Sequence, residues 1–390
     1  MTRDLIGEGR HSRHPELPML GALSLLVIIG FVAMWSASSG FAIKLKRPAD
    51  YFASRQAIFI AVALVLFILT AYLPLEKIRK QAPLLILLSL FSLSLPFFPV
   101  IGVEINGGRR WVNLYFTNFQ PSELWKPLVI LYVAHILDRK RDRIRAAAYE
   151  AIFPFMVVLA GTLVIYLQDD FSTSVVAAVG AIAVFWIAGA PLRFFAATAV
   201  IAVPAMFLMV STSEYRLTRM LGFLIPDYDP HGMNYQVQNS IRAIMSGGLW
   251  GKGLGLGTRK LSTIPEIQSD FVFAAFSEEM GLLGVVAVLA AWVFLGFSVI
   301  KTVASRSPFR ANLAIGLLFL LSIEFLVNLG VVSGLLPATG IALPFFSAGG
   351  SSLLSTAVAA GLLVNCSRDE GFAPLPSQDG LQEFGGKAHG

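Results

Sequence analysis

Long apolar stretches recur along the chain, each close to the length a helix needs to cross a bilayer, with polar connections between them. Ten qualify: residues 17–37, 53–73, 83–100, 122–138, 149–167, 171–189, 192–211, 271–300, 309–336 and 344–365. The first, LPMLGALSLLVIIGFVAMWSA, carries no charge. The fourth and sixth start beside charged residues, and the tenth follows a Pro-rich turn and is rich in Gly, Ser and Ala. The pattern predicts an all-α polytopic membrane protein with ten transmembrane helices and a large extracytoplasmic loop, residues 212–270, between helices 7 and 8. Residues 1–16 then form an N-terminal cytoplasmic segment. Residues 367–390, polar and rich in Gly and Pro, read as a disordered cytoplasmic tail.

Composition supports this class. Apolar residues make up 56% of the chain and charged residues 14%, against about a quarter charged in soluble domains. Mean hydropathy is +0.71. The single cysteine, Cys366, cannot form an internal disulfide, and the five histidines are scattered without a metal-binding spacing. The net charge of +6 fits membrane topology and lipid contact, not nucleic acid. The polar N-terminus runs into the first span with no small-residue cleavage site. With that terminus inside, the inside segments carry 17 Lys and Arg and the short outside connections six. This bias places both termini in the cytoplasm. No internal or inverted repeat is visible, which disfavours common secondary-transporter folds.

Ionisable residues in or beside apolar spans are costly, so each is a candidate for chemistry. Around 106–126, Asn106-Gly107-Gly108-Arg109-Arg110-Trp111 is too polar to span and reads as an interfacial segment. Pro121 suits a first helical turn, and Glu123 either complements the helix N-terminus or meets substrate. Lys126 shares its face and can pair with it. Asp169-Asp170 lie in a short outside turn, where Asp170 can cap the sixth span or bind a cation or basic partner. The long loop holds Tyr215-Arg216 with Arg219, then Tyr235-Gln236, then a glycine run around Lys252. That run fails the P-loop spacing, and is either a flexible loop or a cradle of backbone amides for phosphate. Asp270 immediately precedes the apolar FVFAAF at the membrane boundary. It is either an N-cap or a partly desolvated carboxylate suited to general-base work. Glu278 and Glu279 lie deeper in the same span and are expected to face a polar cavity. Residues 337–352, with Pro337, Gly340, Pro344, Gly349, Gly350 and Ser351, form a broken segment that must be shielded by protein or line a wet cavity.

Together these groups resemble the SEDS family of bacterial cell-wall polymerases, which includes RodA, FtsW and sporulation relatives. The matching residues are Gly108-Arg109-Arg110-Trp111, Phe119-Gln120-Pro121-Ser122-Glu123-Leu124, Lys126, Asp170, Tyr235-Gln236, Ser246-Gly247-Gly248, Pro265-Glu266, Asp270-Phe271-Val272-Phe273-Ala274, Glu278-Glu279, Gly281, Pro337, Thr339-Gly340, Leu343-Pro344 and Gly349-Gly350-Ser351-Ser352. Tyr51-Phe52 with Arg55-Gln56, and Tyr215-Arg216 with Arg219, look like the division-type FtsW branch.

The resemblance implies a peptidoglycan glycosyltransferase, a hexosyltransferase that polymerises lipid II at the outer face of the bacterial cytoplasmic (inner) membrane, for septal division or cell elongation. Asp270 falls on the family's essential carboxylate. It is expected to take the proton of the GlcNAc 4-hydroxyl of lipid II as that hydroxyl attacks the anomeric carbon of the growing chain. Expected substrate-binding residues are Arg109, Glu123, Lys126, Asp170, Gln236, Lys252 and Ser351. The polyprenyl pyrophosphate leaving group would be stabilised by Arg109, Lys126, Lys252 or a divalent cation (Mg or Mn) near Asp170 or Asp270; no organic cofactor is expected. A separate class B penicillin-binding protein would supply transpeptidation, alongside other divisome or elongasome membrane proteins. A lipid II flippase and a scaffold that only recruits a transpeptidase are the readings from other classes.

Overall fold

The computed structural model describes residues 14–105, 107–225, 233–258 and 269–368. The expected disordered tail lies outside these from 369 onward, as do Asn106, Pro265 and Glu266. The chain is a helical membrane bundle. In chain order the helices are α1 (Leu17–Lys44), α2 (Tyr51–Tyr72), α3 (Leu75–Ser92), α4 (Pro121–Arg139), α5 (Arg141–Ala146), α6 (Ile152–Leu167), α7 (Phe171–Ile187), α8 (Leu192–Ser211), α9 (Glu214–Leu224), α10 (Met233–Gly247), α11 (Val272–Val303), α12 (Pro308–Val332) and α13 (Gly350–Ser367). Eight of the expected spans are helices long and apolar enough to cross a membrane. The other two are helices at the expected places. Of these, α7 is only 17 residues long, and α4 carries Glu123, Lys126, Asp138 and Arg139.

Two features differ from the expectation. The interfacial segment before α4 is a small antiparallel sheet of β1 (Gly102–Ile105), β2 (Gly108–Asn113) and β3 (Asn118–Phe119), in the order β1-β2-β3. The region expected as one long loop contains α9 and α10. In α10 the apolar residues Val237, Ile241 and Ile244 recur at helical spacing and are buried or half-buried.

Helix α13 is buried along nearly its whole length. Small residues allow this: Gly361 packs on Phe67 and Thr70 of α2, and Ala357 on Ala63. Pro127 inside α4 has no N–H for the carbonyl of Glu123, and Ser355 of α13 donates to that oxygen instead (2.7 Å). Helix α8, by contrast, buries only Phe194 and lies at the periphery.

Helix α11 is two helical segments joined at Gly281 (φ 64°, ψ −167°), a region open essentially to glycine alone. The break frees backbone groups, and the turn after α10 satisfies them. Lys252 and Gly253 amides donate to the carbonyls of Glu278 (3.1 Å) and Glu279 (3.0 Å). Leu282 and Leu283 amides donate to Gly248 (2.9 Å) and Leu249 (3.2 Å). A Cβ at position 281 would overlap the backbone of Gly251. Gly281→Ala is therefore expected to cost at least ~1–3 kcal/mol of stability from backbone strain alone. Gly21→Ala, whose added methyl inside α1 meets no atom within 4 Å, is the control, with a midpoint at or above that of the parent chain. Thermal unfolding of the two purified variants in detergent checks this, and equal midpoints would refute it.

Candidate active site

The connections α3–α4, α6–α7, α8–α9 and α12–α13 gather at one end of the bundle, together with the start of α11, around a cavity of about 440 Å³. At the other end, Arg79 pairs with Asp138 (2.6 Å) and Arg306 donates to the Ser367 carbonyl (2.7 Å). The cavity is lined by Arg110, Gln120, Glu123, Lys126, Asp169, Asp170, Arg216, Arg219, Asp270 and Ser351 from the sequence motifs, and also by Glu324.

Its floor is a buried charge triad. Lys126 Nζ lies 2.8 Å from Glu123 Oε2 on its own helix and pairs with Glu324 Oε1 of α12. The three residues are 4%, 7% and 3% exposed. The pairing expected between Glu123 and Lys126 is present, and both also face the cavity. Glu324 belongs to none of the sequence motifs. Its signal was available: it is the sole charged residue between Ala311 and Ser367.

The middle of the wall is built on Gln120. Its amide N–H donates to Ser351 Oγ (2.9 Å), which ties the start of α4 to the start of α13. Its side chain donates to Asp170 Oδ2 (2.8 Å). Asp170 also accepts from the Thr173 amide (3.3 Å), so it caps α7 and lines the cavity at once. Arg110 donates to the Asp169 carbonyl (2.8 Å) and lies 3.8 Å from Asp170 Oδ1.

Asp270 is held by its backbone. Phe271, not Asp270, holds the N-cap position of α11. Asn328 donates to the Asp270 carbonyl (3.0 Å) and to the Ile341 carbonyl (2.8 Å). Ser347 accepts from the Leu343 amide (2.7 Å) and donates to the Ser269 carbonyl (2.6 Å). The broken segment 337–349 is thereby fastened to the residue before the helix. A Cβ at Gly340 (φ 73°) would lie 3.6 Å from Asp270 Oδ2, so this turn lies beside the carboxylate.

Three expected site residues lie elsewhere. Arg109 points away from the cavity, with 64% of its side chain exposed, and pairs with Glu104 across the hairpin (3.2 Å). Successive side chains on a strand face opposite sides, so Arg110 enters the cavity and Arg109 does not. Lys252 is drawn to Glu278 (2.6 Å), and the neighbouring amides have partners within the chain: Gly253 donates to the Glu279 carbonyl (3.0 Å) at the break in α11, Gly251 to Gly247 (2.8 Å) and Gly248 to Met245 (3.4 Å). Gln236 sits half-buried on α10 and does not line the cavity. Glu278 and Glu279 do not line it either: Glu278 also accepts from Thr258 and Ser246, and Glu279 from Ser36 of α1.

Among the described residues, no group of three or more His, Cys, Asp or Glu is placed to hold a metal ion. The Asp170 oxygens already serve Gln120, Thr173 and Arg110. Asp270 with the phosphates of a ligand would suit Mg, which is commonly held by one or two carboxylates plus substrate phosphates.

Comparison with known proteins places this geometry. Residues 17–371 match the family described as "Cell cycle protein" (FtsW/RodA/SpoVE). The "Probable peptidoglycan glycosyltransferase FtsW" of Trichlorobacter lovleyi is 37% identical over 93% of this chain and 96% of its own length. The protein of the same description from Geobacter sulfurreducens is 36% identical over 90% and 95%. A solved structure described as "Structural coordination of polymerization and crosslinking by a peptidoglycan synthase complex" superposes with a TM-score of 0.72 at 30% identity, covering 90% of this chain and 97% of that one. The rod shape determining protein RodA of Thermus thermophilus gives 0.67 at 27%, covering 91% and 97%.

The triad allows a stability prediction. Lys126→Ala leaves two buried carboxylates facing each other and is expected to cost roughly 3–5 kcal/mol. Glu324→Gln leaves the Lys126–Glu123 pair intact and is expected to cost about 1 kcal/mol. Chemical or thermal unfolding of both variants in detergent gives the comparison, and a reversed order would overturn it.

Proposed function

The chain belongs to the FtsW, RodA and SpoVE family, and we propose that it is a peptidoglycan glycosyltransferase that polymerises lipid II into glycan strands at the outer face of the cytoplasmic membrane. The observation that carries the reading is the position of Asp270. It stands at the cavity, fastened through its own backbone and that of Ser269, with Asp170 and Ser351 in the same walls. A carboxylate so fixed is suited to general-base work.

In the proposed reaction the acceptor hydroxyl attacks the anomeric carbon of the donor. The new glycosidic C–O bond forms as the bond to the diphosphate breaks, and the diphosphate oxygen leaves with the electron pair. The hydroxyl proton passes to the Asp270 carboxylate. The polyprenyl tail lies in the membrane beside the peripheral α8, near the start of α9. A Mg or Mn ion held by Asp270 and the diphosphate would neutralise charge on the leaving group.

Both termini are cytoplasmic in this reading, the two shorter or more charged helices α4 and α7 complete ten spans, and a class B penicillin-binding protein crosslinks the product. The description of the peptidoglycan synthase complex supports such a partner. The curated relatives described as FtsW support the division branch over the elongation branch.

The test is polymerisation of purified lipid II by the chain with its crosslinking partner, with EDTA and metal add-back as separate arms. Asp270→Asn is expected to lower the rate by about 10²–10⁴-fold at unchanged elution in size exclusion. Full activity in that variant would remove Asp270 from the chemistry. Lipid II translocation in liposomes without polymer would favour a transporter.

A further inference from the structure

The cavity wall carries four cations, and their surroundings differ. Lys126 is enclosed by two carboxyl groups. Arg110 lies 3.8 Å from Asp170, and Arg216 lies 3.7 Å from Asp169. Arg219 has no carboxylate within 4.0 Å among the described residues. It donates to the carbonyl of Ala338 (3.2 Å) and to the hydroxyl of Tyr215, both neutral, and its guanidinium lies 4.3 Å from the centre of the Tyr215 ring. Its Nε is buried and has no acceptor among the described residues.

The electrostatics agree with the geometry. Burial pulls the Arg219 guanidinium below its ordinary pKa, and the Arg110 charge adds to this against the opposing pull of Tyr215 and Asp270. A half-buried guanidinium with an unused N–H, beside a second guanidinium, is a group that an anion would relieve. Arg216 and Arg219, three residues apart on α9, share one face of that helix. The Ala338 carbonyl sets Arg219 beside the segment that carries Gly340 against Asp270.

We propose that Arg219, flanked by Arg110 and Arg216, is the anion subsite of this cavity and takes the diphosphate of the donor's polyprenyl carrier. The proposal rests on the glycosyltransferase reading and names the binding residue for its leaving group. As the anomeric C–O bond breaks, charge grows on the departing phosphate oxygen, and the planar fork of Arg219 meets phosphate oxygens with paired N–H groups. Lys126 is not the leaving-group cation, because two carboxyl groups already enclose it. It positions the floor between α4 and α12.

The experiment uses the full chain with its crosslinking partner in nanodiscs, in EDTA so that metal adds nothing to anion binding. Polyprenyl diphosphate, polyprenyl monophosphate and inorganic pyrophosphate are the three probes. Arg219→Gln keeps a donor for the Ala338 carbonyl and removes the charge, Arg219→Lys restores the charge, and Arg109→Gln on the exposed face of the hairpin is the control. Arg219→Gln is expected to weaken polyprenyl diphosphate binding by about 10- to 100-fold, as for loss of a hydrogen bond to a charged group. Monophosphate binding changes little, Arg219→Lys recovers part of the loss, and the control matches the parent chain.

Unchanged diphosphate binding in a normally eluting Arg219→Gln variant overturns the subsite. Inorganic pyrophosphate binding as tightly as the lipid overturns the assignment to the lipid carrier. The two readings fail separately. A parent chain that binds diphosphate through Arg219 but makes no glycan keeps the subsite and loses the polymerase. A parent chain that makes glycan while Arg219→Gln binds diphosphate normally keeps the polymerase and loses the subsite.

Discussion

A lysine ammonium inside a helical bundle has to be paired, and here it is paired twice. Lys126 reaches Glu123 on its own helix α4 and Glu324 on α12, so the two helices are tied at one depth. Charges at that depth are costly when exposed to lipid. The surrounding helices must therefore screen the triad, and they do so with α13, whose residues are almost all buried. The polar cavity follows from this placement. Its floor is the triad, and its walls include the starts of α4, α7 and α13.

The second constraint is that backbone out of regular structure must find partners within the protein. The segment 337–349 meets it through side chains. Asn328 takes Ile341 and Asp270, Ser347 takes Leu343 and Ser269, and Gln56 donates to the Ser347 carbonyl (3.3 Å). Phe345 is held at φ 69°, which a bulky residue adopts only under constraint, and its backbone packs on Gly30 of α1. The break in α11 is met differently, by backbone pairing with the turn after α10. One irregular segment thus positions the carboxylate at the cavity, while the other is sealed away from it.

Much of this was legible in the chain. Each expected span corresponds to a helix, because a run of about twenty apolar residues leaves few alternatives in lipid. Asp170, Asp270, Glu123, Lys126 and Ser351 meet at one cavity although they are far apart in sequence. What was not legible depends on direction and pairing. Arg109 and Arg110 are adjacent and chemically identical, and only the strand alternation of β2 separates a surface ion pair from a cavity wall. Lys252 has the glycine neighbours of a phosphate cradle, yet Glu278 claims it, a pairing that needs the fold. Arg216 and Arg219 read as branch markers until α9 turned them toward the cavity. Glu324 stood alone in an apolar span, so the cost of an intramembrane charge was sufficient to find it.

The distribution of charge gives the cavity a polarity that its list of residues conceals. Two carboxyl groups enclose the one ammonium of the floor, while the guanidiniums of Arg110, Arg216 and Arg219 stand in the walls and rim near Asp169, Asp170 and Asp270. An anionic diphosphate entering such a site finds the Lys126 ammonium already enclosed and Arg219 without a carboxylate within 4.0 Å among the described residues, and its attraction to Arg219 grows as water is excluded. On the proposed reading, that difference holds the donor's scissile bond near Asp270 instead of letting the carrier sink toward Lys126. The buried triad would then act on the reaction without touching the reacting atoms, by setting how deep an anion can go.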